Sequence, residues 1–254
     1  MKSLFVVLLA VSLIACNSTQ TRKNTDIIQQ NLKGKIQTLE ERTTNFDSTG
    51  KAKADSTVNT SGFNADGYIT TYTVKDSSGK ITLSQTISHN ADGSTSEVKN
   101  TKDGKQTFRV TIDVDKNGNY TAAKTYDSTD KQDSYYTDFK TNEYGITYVG
   151  KQHFMNGKIK STFDMKYEGP NFVGGIATDS TGKPSYQGTV KLNEKGDAIE
   201  EHYTTHEKDS TISKNLMYKY DSYDDKGNWT QRTTTDDKGK QTVIVKRIFS
   251  YFKD

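Results

Sequence analysis

Residues 104–118 read GKQTFRVTIDVDKNG, a strand-length segment between two glycine turns. Apolar side chains occupy every second position from Phe108 to Val114, and polar or charged side chains occupy the positions between them. Alternation with a period of two is typical of a β-strand with one apolar and one polar face. Glycine at both ends supplies the positive φ that tight hairpins require. The stretch therefore predicts one strand of an antiparallel hairpin.

Two interleaved series of such turns run along the chain beyond residue 60. The first series has Asn or Asp three residues before Gly, at 64–67, 90–93, 115–118, 142–145, 193–196 and 224–227. The second series carries Lys directly after the turn, at positions 80, 105, 131, 158, 183 and 240. Within a series the spacing is mostly 25 to 27 residues. A fixed period indicates a repeat architecture, and two strands per period make the repeating unit one β-hairpin.

This repeat predicts an all-β fold without a helical domain, built as an antiparallel up-and-down meander of about 14 strands. Since an apolar sheet face cannot stay bare, the meander should curl into an open barrel or a two-layer sheet. We assign residues 35–254 to this domain and 35–46 to its first strand. Residues 51–62 are interpreted as a polar loop. The last strand carries apolar residues on both sides, such as Ile248 and Phe249, which predicts that both its faces are covered.

The composition excludes several classes of protein. Only 31% of the 254 residues are hydrophobic and 26% are charged, which is too few apolar residues for the large core of an α/β enzyme. The 15 Tyr, 10 Phe and a net charge of only +3 favour thin β-structure over disorder. The 35 basic and 32 acidic residues are dispersed along the chain, which argues against nucleic acid as a partner.

The N-terminus has the proportions of a signal peptide. One lysine is followed by an apolar run that is too short for a stable membrane span, so we assign residues 1–15 to a signal peptide. Residues 13–16, LIAC, resemble the bacterial lipobox, which implies cleavage before Cys16, acylation of Cys16 and a membrane anchor through its acyl chains. Residues 16–34 would form a polar tether with a possible short helix. Cys16 is the single cysteine, so the chain cannot form an internal disulfide.

The residues after Cys16 bear on localisation. No Asp follows the cysteine, so the inner-membrane retention signal known from enteric lipoproteins is missing. Residues 17–24 contain no acidic residue, so the acidic export tag of resembling Bacteroidota surface lipoproteins is missing too. We therefore expect a lipid-anchored protein of the outer membrane that faces the periplasm.

Two segments near the C-terminus resemble a known repeat. Residues 218–221, YKYD, and 223–232, YDDKGNWTQR, are similar to the YD-repeat (RHS-like) segments of Bacteroidota lipoproteins, and 32–36, LKGKI, is similar to their first strand. The resemblance spans residues 32–254 and is looser in the middle, where 168–171 and 207–210 replace the glycine turns. It implies a β-meander in an exported lipoprotein, and no activity, because these repeats are scaffolds.

Two motifs suggest metal ligands. Residues 113–118, DVDKNG, resemble the start of a calcium loop, but the twelfth position, where a bidentate Glu belongs, is Lys124. A strand that enters a hairpin turn explains these residues equally well. His202 and His206 point the same way in a strand and could hold a transition metal together with Glu200. They lie opposite Tyr203, which favours solvent exposure, so we assign no metal site.

A short motif, Asp followed by Ser and Thr, occurs five times and resembles an O-glycosylation sequon of exported Bacteroidota proteins. The resemblance implies modification of the central serines, Ser48, Ser56, Ser128, Ser180 and Ser210. Asp and Ser are also ordinary turn formers, and four of the five motifs fall at turns of the second series. The intact mass of the native protein tests the modification.

The residues contain no catalytic signature, and we predict a protein without a cofactor that is not an enzyme. There is no GxSxG motif and no phosphate-binding glycine loop. The leading hypothesis is an acylated cell-envelope lipoprotein that acts as a β-repeat scaffold or interaction protein. The alternative is a carrier or sensor that binds a lipid or another apolar ligand on the concave face of the sheet. Trp229 and the tyrosines leave a carbohydrate platform as a further interpretation.

Overall fold

The computed structural model describes residues 25–116, 118–207 and 210–253, in which sixteen strands and one single-turn helix are formed. The helix is α1 (Asp26–Gln29). The strands are β1 (Ile36–Asn45), β2 (Thr57–Phe63), β3 (Ile69–Lys75), β4 (Ile81–His89), β5 (Thr95–Lys102), β6 (Lys105–Val114), β7 (Tyr120–Tyr126), β8 (Gln132–Thr141), β9 (Thr147–Phe154), β10 (Ile159–Glu168), β11 (Asn171–Thr178), β12 (Pro184–Leu192), β13 (Ala198–Glu207), β14 (Ser210–Tyr223), β15 (Trp229–Thr235) and β16 (Gln241–Tyr251). No described helix is long or apolar enough to cross a membrane.

The strands form one closed antiparallel barrel. Each strand pairs with its neighbours in sequence, and β1 closes the sheet by pairing with β16, with Leu39 opposite Phe249. The predicted all-β up-and-down meander is therefore confirmed. The curling is complete, since the first and last strands meet, whereas the sequence left an open barrel and a two-layer sheet as alternatives.

The turns explain why these residues form hairpins. In the β7–β8 turn, Asp127 Oδ1 accepts hydrogen bonds from the backbone amides of Thr129 (2.8 Å) and Lys131 (3.1 Å) and from the Thr129 hydroxyl (2.7 Å). These hydrogen bonds hold the pKa of Asp127 below its usual value, and the bond from the Thr129 hydroxyl contributes most. The fourth turn residue adopts a positive φ, here Asp130 at 62° and in most other turns glycine. Local side-chain chemistry thus sets the length of each hairpin loop.

The two series of turns lie at opposite ends of the barrel. First-series turns follow even-numbered strands and second-series turns follow odd-numbered strands, as expected for an up-and-down meander. Residues 25–34, the crossing segment, run along the end that carries the first series. The Ile27 amide donates to Gly67 O (3.2 Å), and Asn31 Nδ2 donates to Asp197 Oδ1 (2.8 Å). The crossing segment therefore joins the β2–β3 turn to the β12–β13 turn, and we name this the capped end and the other the far end.

The short helix predicted within residues 16–34 is present as α1, and the first strand, predicted at 35–46, is β1. Residues 51–62 were wrongly predicted as a loop, because 57–62 belong to β2. Val58 is the single large apolar residue of 51–62, so the period-two signal is too weak to detect there. This segment is a strand because it pairs with β1 and β3, although its own side chains give little strand signal.

The last strand is only partly covered on its outer face, contrary to the prediction from its sequence, since Ile244 is half-buried there and Ile248 is exposed. Val245 is 6% exposed on the inner face of β16, whereas Ile248 is 52% exposed on the outer face. Apolar residues on both faces of a strand are no proof of burial, because single exposed apolar side chains are common on protein surfaces.

Candidate ligand site in the barrel interior

The register of the sheet decides which side chains face the interior. Val98 pairs with Val110, Ile112 pairs with Ala123, and all four are buried. Directly paired residues share a face of the sheet, so these pairs mark the inner wall. The intervening Arg109 and Thr111 then belong to the outer wall.

The outer wall is mainly polar and charged. Its mid-strand positions carry Thr, Ser, Lys, Arg, Asp, Glu and His, including Arg42, Lys99, Arg109, Lys124, Lys151, Asp164, Lys166, His202 and Lys246. Several of these charges form exposed ion pairs, such as Lys151 with Asp138 (2.8 Å) and Lys124 with Asp113 (3.4 Å). Single exposed apolar side chains, such as Met217 and Ile248, lie among the polar ones.

The inner wall is apolar over β3 to β8 and β10, but much of it is not fully buried. The half-buried apolar side chains there are Tyr72, Val74, Leu83, Ile87, Phe108, Tyr136, Phe139, Phe163 and Met165. One buried cluster, formed by Val98, Val110, Ile112, Tyr120 and Ala123, draws its members from neighbouring strands and the turn between them. The inner wall therefore packs along the sheet and still presents apolar surface to the interior.

The inner wall of β13 to β16 and β1 carries aromatic and charged side chains beside apolar ones such as Leu39 and Val245. Arg247 lies over the Trp229 ring, with Cζ 3.5 Å from the ring centroid, and its Nε donates to Glu41 Oε1 (2.8 Å). Arg232 Cζ lies 5.1 Å from the same Trp229 centroid and 4.5 Å from that of Tyr218. Burial, opposed by Glu41, lowers the pKa of Arg247. We call Glu41, Tyr218, Trp229, Arg232 and Arg247 the arginine cluster.

Burial also changes the tyrosines of the interior. It raises the pKa of Tyr136 on the apolar wall to about 12. It raises the pKa of Tyr218 as well, where the nearby Glu201 carboxylate accepts a hydrogen bond from the phenol. Both side chains stay neutral at ordinary pH, so they act as hydrogen-bonding and packing groups.

At the capped end, a buried polar side chain holds the crossing segment to the barrel. Asn228, 2% exposed, donates from Nδ2 to Lys33 O (2.9 Å) and accepts from the Lys33 amide through Oδ1 (2.7 Å). Exposed apolar side chains, each 39–56% exposed, occur at both ends: Ile81, Phe154, Met155, Ile159 and Ile212 at the far end, and Ile28, Tyr144 and Tyr223 at the capped end. The two ends differ in the crossing segment, which lies along the capped end.

The residues singled out as metal ligands lie on the outer wall or in a turn. Asp113 faces Lys124, the residue at the place of the calcium-binding Glu. His202 Nδ1 is hydrogen-bonded to Asn215 Oδ1, and His206 Nδ1 lies 3.0 Å from Thr211 Oγ1. Within the described ranges, no group of three or more His, Cys, Asp or Glu side chains is placed to hold a metal ion.

The predicted modification sites stand apart from the interior. Cys16 lies outside the described residues. Ser48, Ser128 and Ser180 are exposed in turns at the far end, and Ser210 is exposed at the start of β14. Ser56 is half-buried just before β2. In the turn at Asp179 the Thr181 hydroxyl bonds the carboxylate (2.7 Å), so turn chemistry accounts for the Asp and Thr of this motif, and modification of the serine stays a prediction.

Sequence reasoning missed the arginine cluster. Its members come from β1, β14, β15 and β16, and Glu41 is 206 residues from Arg247 in the chain. Three of them, Tyr218, Trp229 and Arg232, lie in the segments that resemble a YD repeat, which was the available signal. The cluster argues against a carbohydrate platform at Trp229, because the Arg247 guanidinium already covers one face of the indole.

The fold and site define a closed up-and-down β-barrel with a polar outside and a largely apolar inside. A solved structure of similar fold is a porin-like protein from Bacteroides uniformis, with a TM-score of 0.56 and 14% identity over 85% of this chain and 96% of that chain. A porin-like protein from Bacteroides vulgatus matches with a TM-score of 0.44 and 10% identity, over 86% of this chain and 99% of the other. The Photorhabdus luminescens Tc holotoxin pore matches 75% of this chain and 11% of its own, with a TM-score of 0.30 and 9% identity.

No protein-family model matches the chain, and no curated protein matches its sequence. The likeness to the Bacteroides uniformis protein concerns the fold alone. The two walls described above, apolar inside and polar outside, therefore carry the functional argument.

Proposed function

We propose that the barrel is a non-enzymatic binding protein or carrier for an apolar or amphiphilic small molecule, which it holds in its interior. The observation that supports this proposal is the half-buried apolar inner wall, exemplified by Phe108, Phe139 and Phe163. Apolar side chains that keep contact with solvent inside a closed wall gain stability when a ligand covers them. The crossing segment lies along the capped end, so the far end is the proposed route of entry.

Saturable binding of a neutral fluorescent probe tests the proposal. The full chain with Cys16→Ser should bind N-phenyl-1-naphthylamine with a blue-shifted emission and a defined stoichiometry. Phe163→Asp should weaken binding at least tenfold, because it places a charge on the inner wall. Thr162→Asp is the matched control on the outer wall of the same strand and should bind normally.

A second inner-wall variant, Leu83→Asn, and circular dichroism of all variants separate loss of binding from loss of the fold. Absence of saturable binding by the folded protein would overturn the carrier proposal. It would leave the scaffold or interaction role, for which capture of envelope partners is the test.

We further propose that the barrel belongs to an acylated lipoprotein of the cell envelope, anchored at Cys16 in the outer membrane and facing the periplasm. Eight residues lie between Cys16 and Thr25, where the described chain begins beside the capped end, so nine peptide steps join the two residues. A chain of that length spans roughly 30 Å at most. Acylation at Cys16 would therefore hold the capped end near the membrane and direct the far end away from it.

Detergent phase separation tests the anchor. The native protein should partition into the Triton X-114 phase, and Cys16→Ser should move it to the aqueous phase, because several acyl chains supply the membrane affinity. Ser18→Ala is the control within the same segment and should stay with the detergent. A Cys16→Ser protein that remains in the detergent phase would contradict anchoring through acyl chains.

A further inference from the structure

We infer that the arginine cluster binds the anionic head group of the ligand through Arg232, so that the ligand is an anionic amphiphile. This inference rests on the proposed function, because it assigns the polar end of the same interior site. The shared chemistry is a carboxylate or a phosphate ester joined to an apolar chain.

Arg232 is incompletely satisfied by the protein. Its Nε is buried and has no hydrogen-bond partner. Burial raises the pKa of the neighbouring Tyr220 and the Arg232 guanidinium opposes this rise, while the Tyr220 hydroxyl donates to Ala198 O (2.7 Å). In the described part of the chain, no carboxylate lies within ion-pair distance of Arg232. A buried guanidinium donor without an acceptor is costly, and an anion would remove this cost.

The carboxylates near Arg232 already have other hydrogen-bond partners. Arg247 is 11% exposed at its side chain and is paired with Glu41, so this pair is neutral by itself. Arg232 adds a second guanidinium beside the same Trp229 ring, and its repulsion contributes to the lowered pKa of Arg247. Glu201 also faces the interior, but its carboxylate accepts the Tyr218 hydroxyl. Glu201 keeps its negative charge, because the Tyr218 phenol is neutral, so the charges are balanced and Arg232 is distinguished by having no carboxylate at ion-pair distance within the described ranges.

The position of the cluster suits an amphiphile. Arg232 and Arg247 lie on β15 and β16, eight strands away from β7 and β8 on the closed sheet. One buried apolar cluster lies on β5 to β8, and the second, with Leu39 and Phe63, lies on β1 and β2. The two guanidinium groups therefore lie across the interior from the β5 to β8 cluster, and apolar side chains also lie beside them. Arginine is well suited to this role because its planar fork matches carboxylate and phosphate oxygens.

Displacement of the neutral probe by matched twelve-carbon ligands tests the inference. Dodecanoate and dodecyl phosphate represent the two anionic sources, and 1-dodecanol is the neutral ligand of equal chain length. We expect at least one anion to displace N-phenyl-1-naphthylamine at about tenfold lower concentration than dodecanol, as a charge-assisted hydrogen bond predicts. Whichever anion displaces the probe more strongly identifies the head group.

Arg232→Gln should remove this preference, raising the Kd of the favoured anion about tenfold and leaving that of dodecanol unchanged. Arg232→Lys should restore part of it. Arg42→Gln, on the outer wall, is the charge-matched control and should change neither value. Equal displacement by the anions and dodecanol, or an unchanged preference in Arg232→Gln, would overturn the inference although the probe still binds. Failure of the probe to bind the folded protein would count against the proposed function itself and, since the inference rests on that function, would overturn both.

Discussion

Replacing Leu39 with alanine should lower the free energy of unfolding by about 3 kcal/mol. Leu39 is 1% exposed on β1, in a buried cluster with Ile36 and Phe63, and Phe249 on β16 packs against this cluster. Truncation removes buried methyl groups and leaves a cavity at the place where the first and last strands close the barrel. Urea unfolding, followed by the fluorescence of Trp229, the single tryptophan, measures the loss.

Ile248→Ala is the matched control for Leu39→Ala. Ile248 lies in the β16 strand that pairs with β1, but it is 52% exposed on the outer wall. Exposed substitutions of this kind change stability by no more than about 0.5 kcal/mol. If Ile248→Ala destabilised the protein as much as Leu39→Ala, the assignment of inner and outer faces would be wrong.

Removal of the Glu41 carboxylate, in Glu41→Ala, should cost about 3 kcal/mol of unfolding free energy. Its partner Arg247 is 11% exposed at the side chain and already carries a pKa lowered by burial. Without Glu41 the guanidinium would stay buried with no carboxylate, and the neighbouring Arg232 would repel it. The same urea titration measures the effect, and added salt should not reproduce it because buried pairs are weakly screened.

The neighbouring residue provides the control for Glu41→Ala. Glu40 also pairs with an arginine, Arg42, with Nε 2.6 Å from the carboxylate, but Arg42 is 59% exposed at its side chain. An exposed pair contributes roughly 0–1 kcal/mol, so Glu40→Ala should be nearly neutral. Similar losses in both variants would mean that Glu41 acts through strand pairing and not through the buried charge.

The hairpin unit was predictable because its causes are local. The turn at Asp127 shows this, since one carboxylate bonds two backbone amides within four residues. Alternation in β6 likewise predicted that Phe108 and Val110 share a face. β2 escaped prediction because its order comes from pairing with β1 and β3, not from its own side chains. The exposure of Ile248 was not predicted for a related reason, because the sequence of a strand does not determine which of its faces contacts solvent.

The candidate site was less predictable than the fold. Arg232 lies in a segment that drew attention through its resemblance to a YD repeat, yet its role depends on residues from other strands. Glu41 and Arg247 lie in contact because β1 pairs with β16, although most of the chain lies between these two strands. Pairing at that separation is decided by the number, stagger and twist of all intervening strands.

By itself, the sequence determined that this protein is a meander of one-sided β-hairpins with too few apolar residues for a large core. The reason is that turn chemistry and side-chain alternation act over a few residues. Only the tertiary structure decided that the sheet closes, that its apolar face lines an interior and that two arginines share one tryptophan there. Closure is a property of the whole set of strands, so no single segment encodes it.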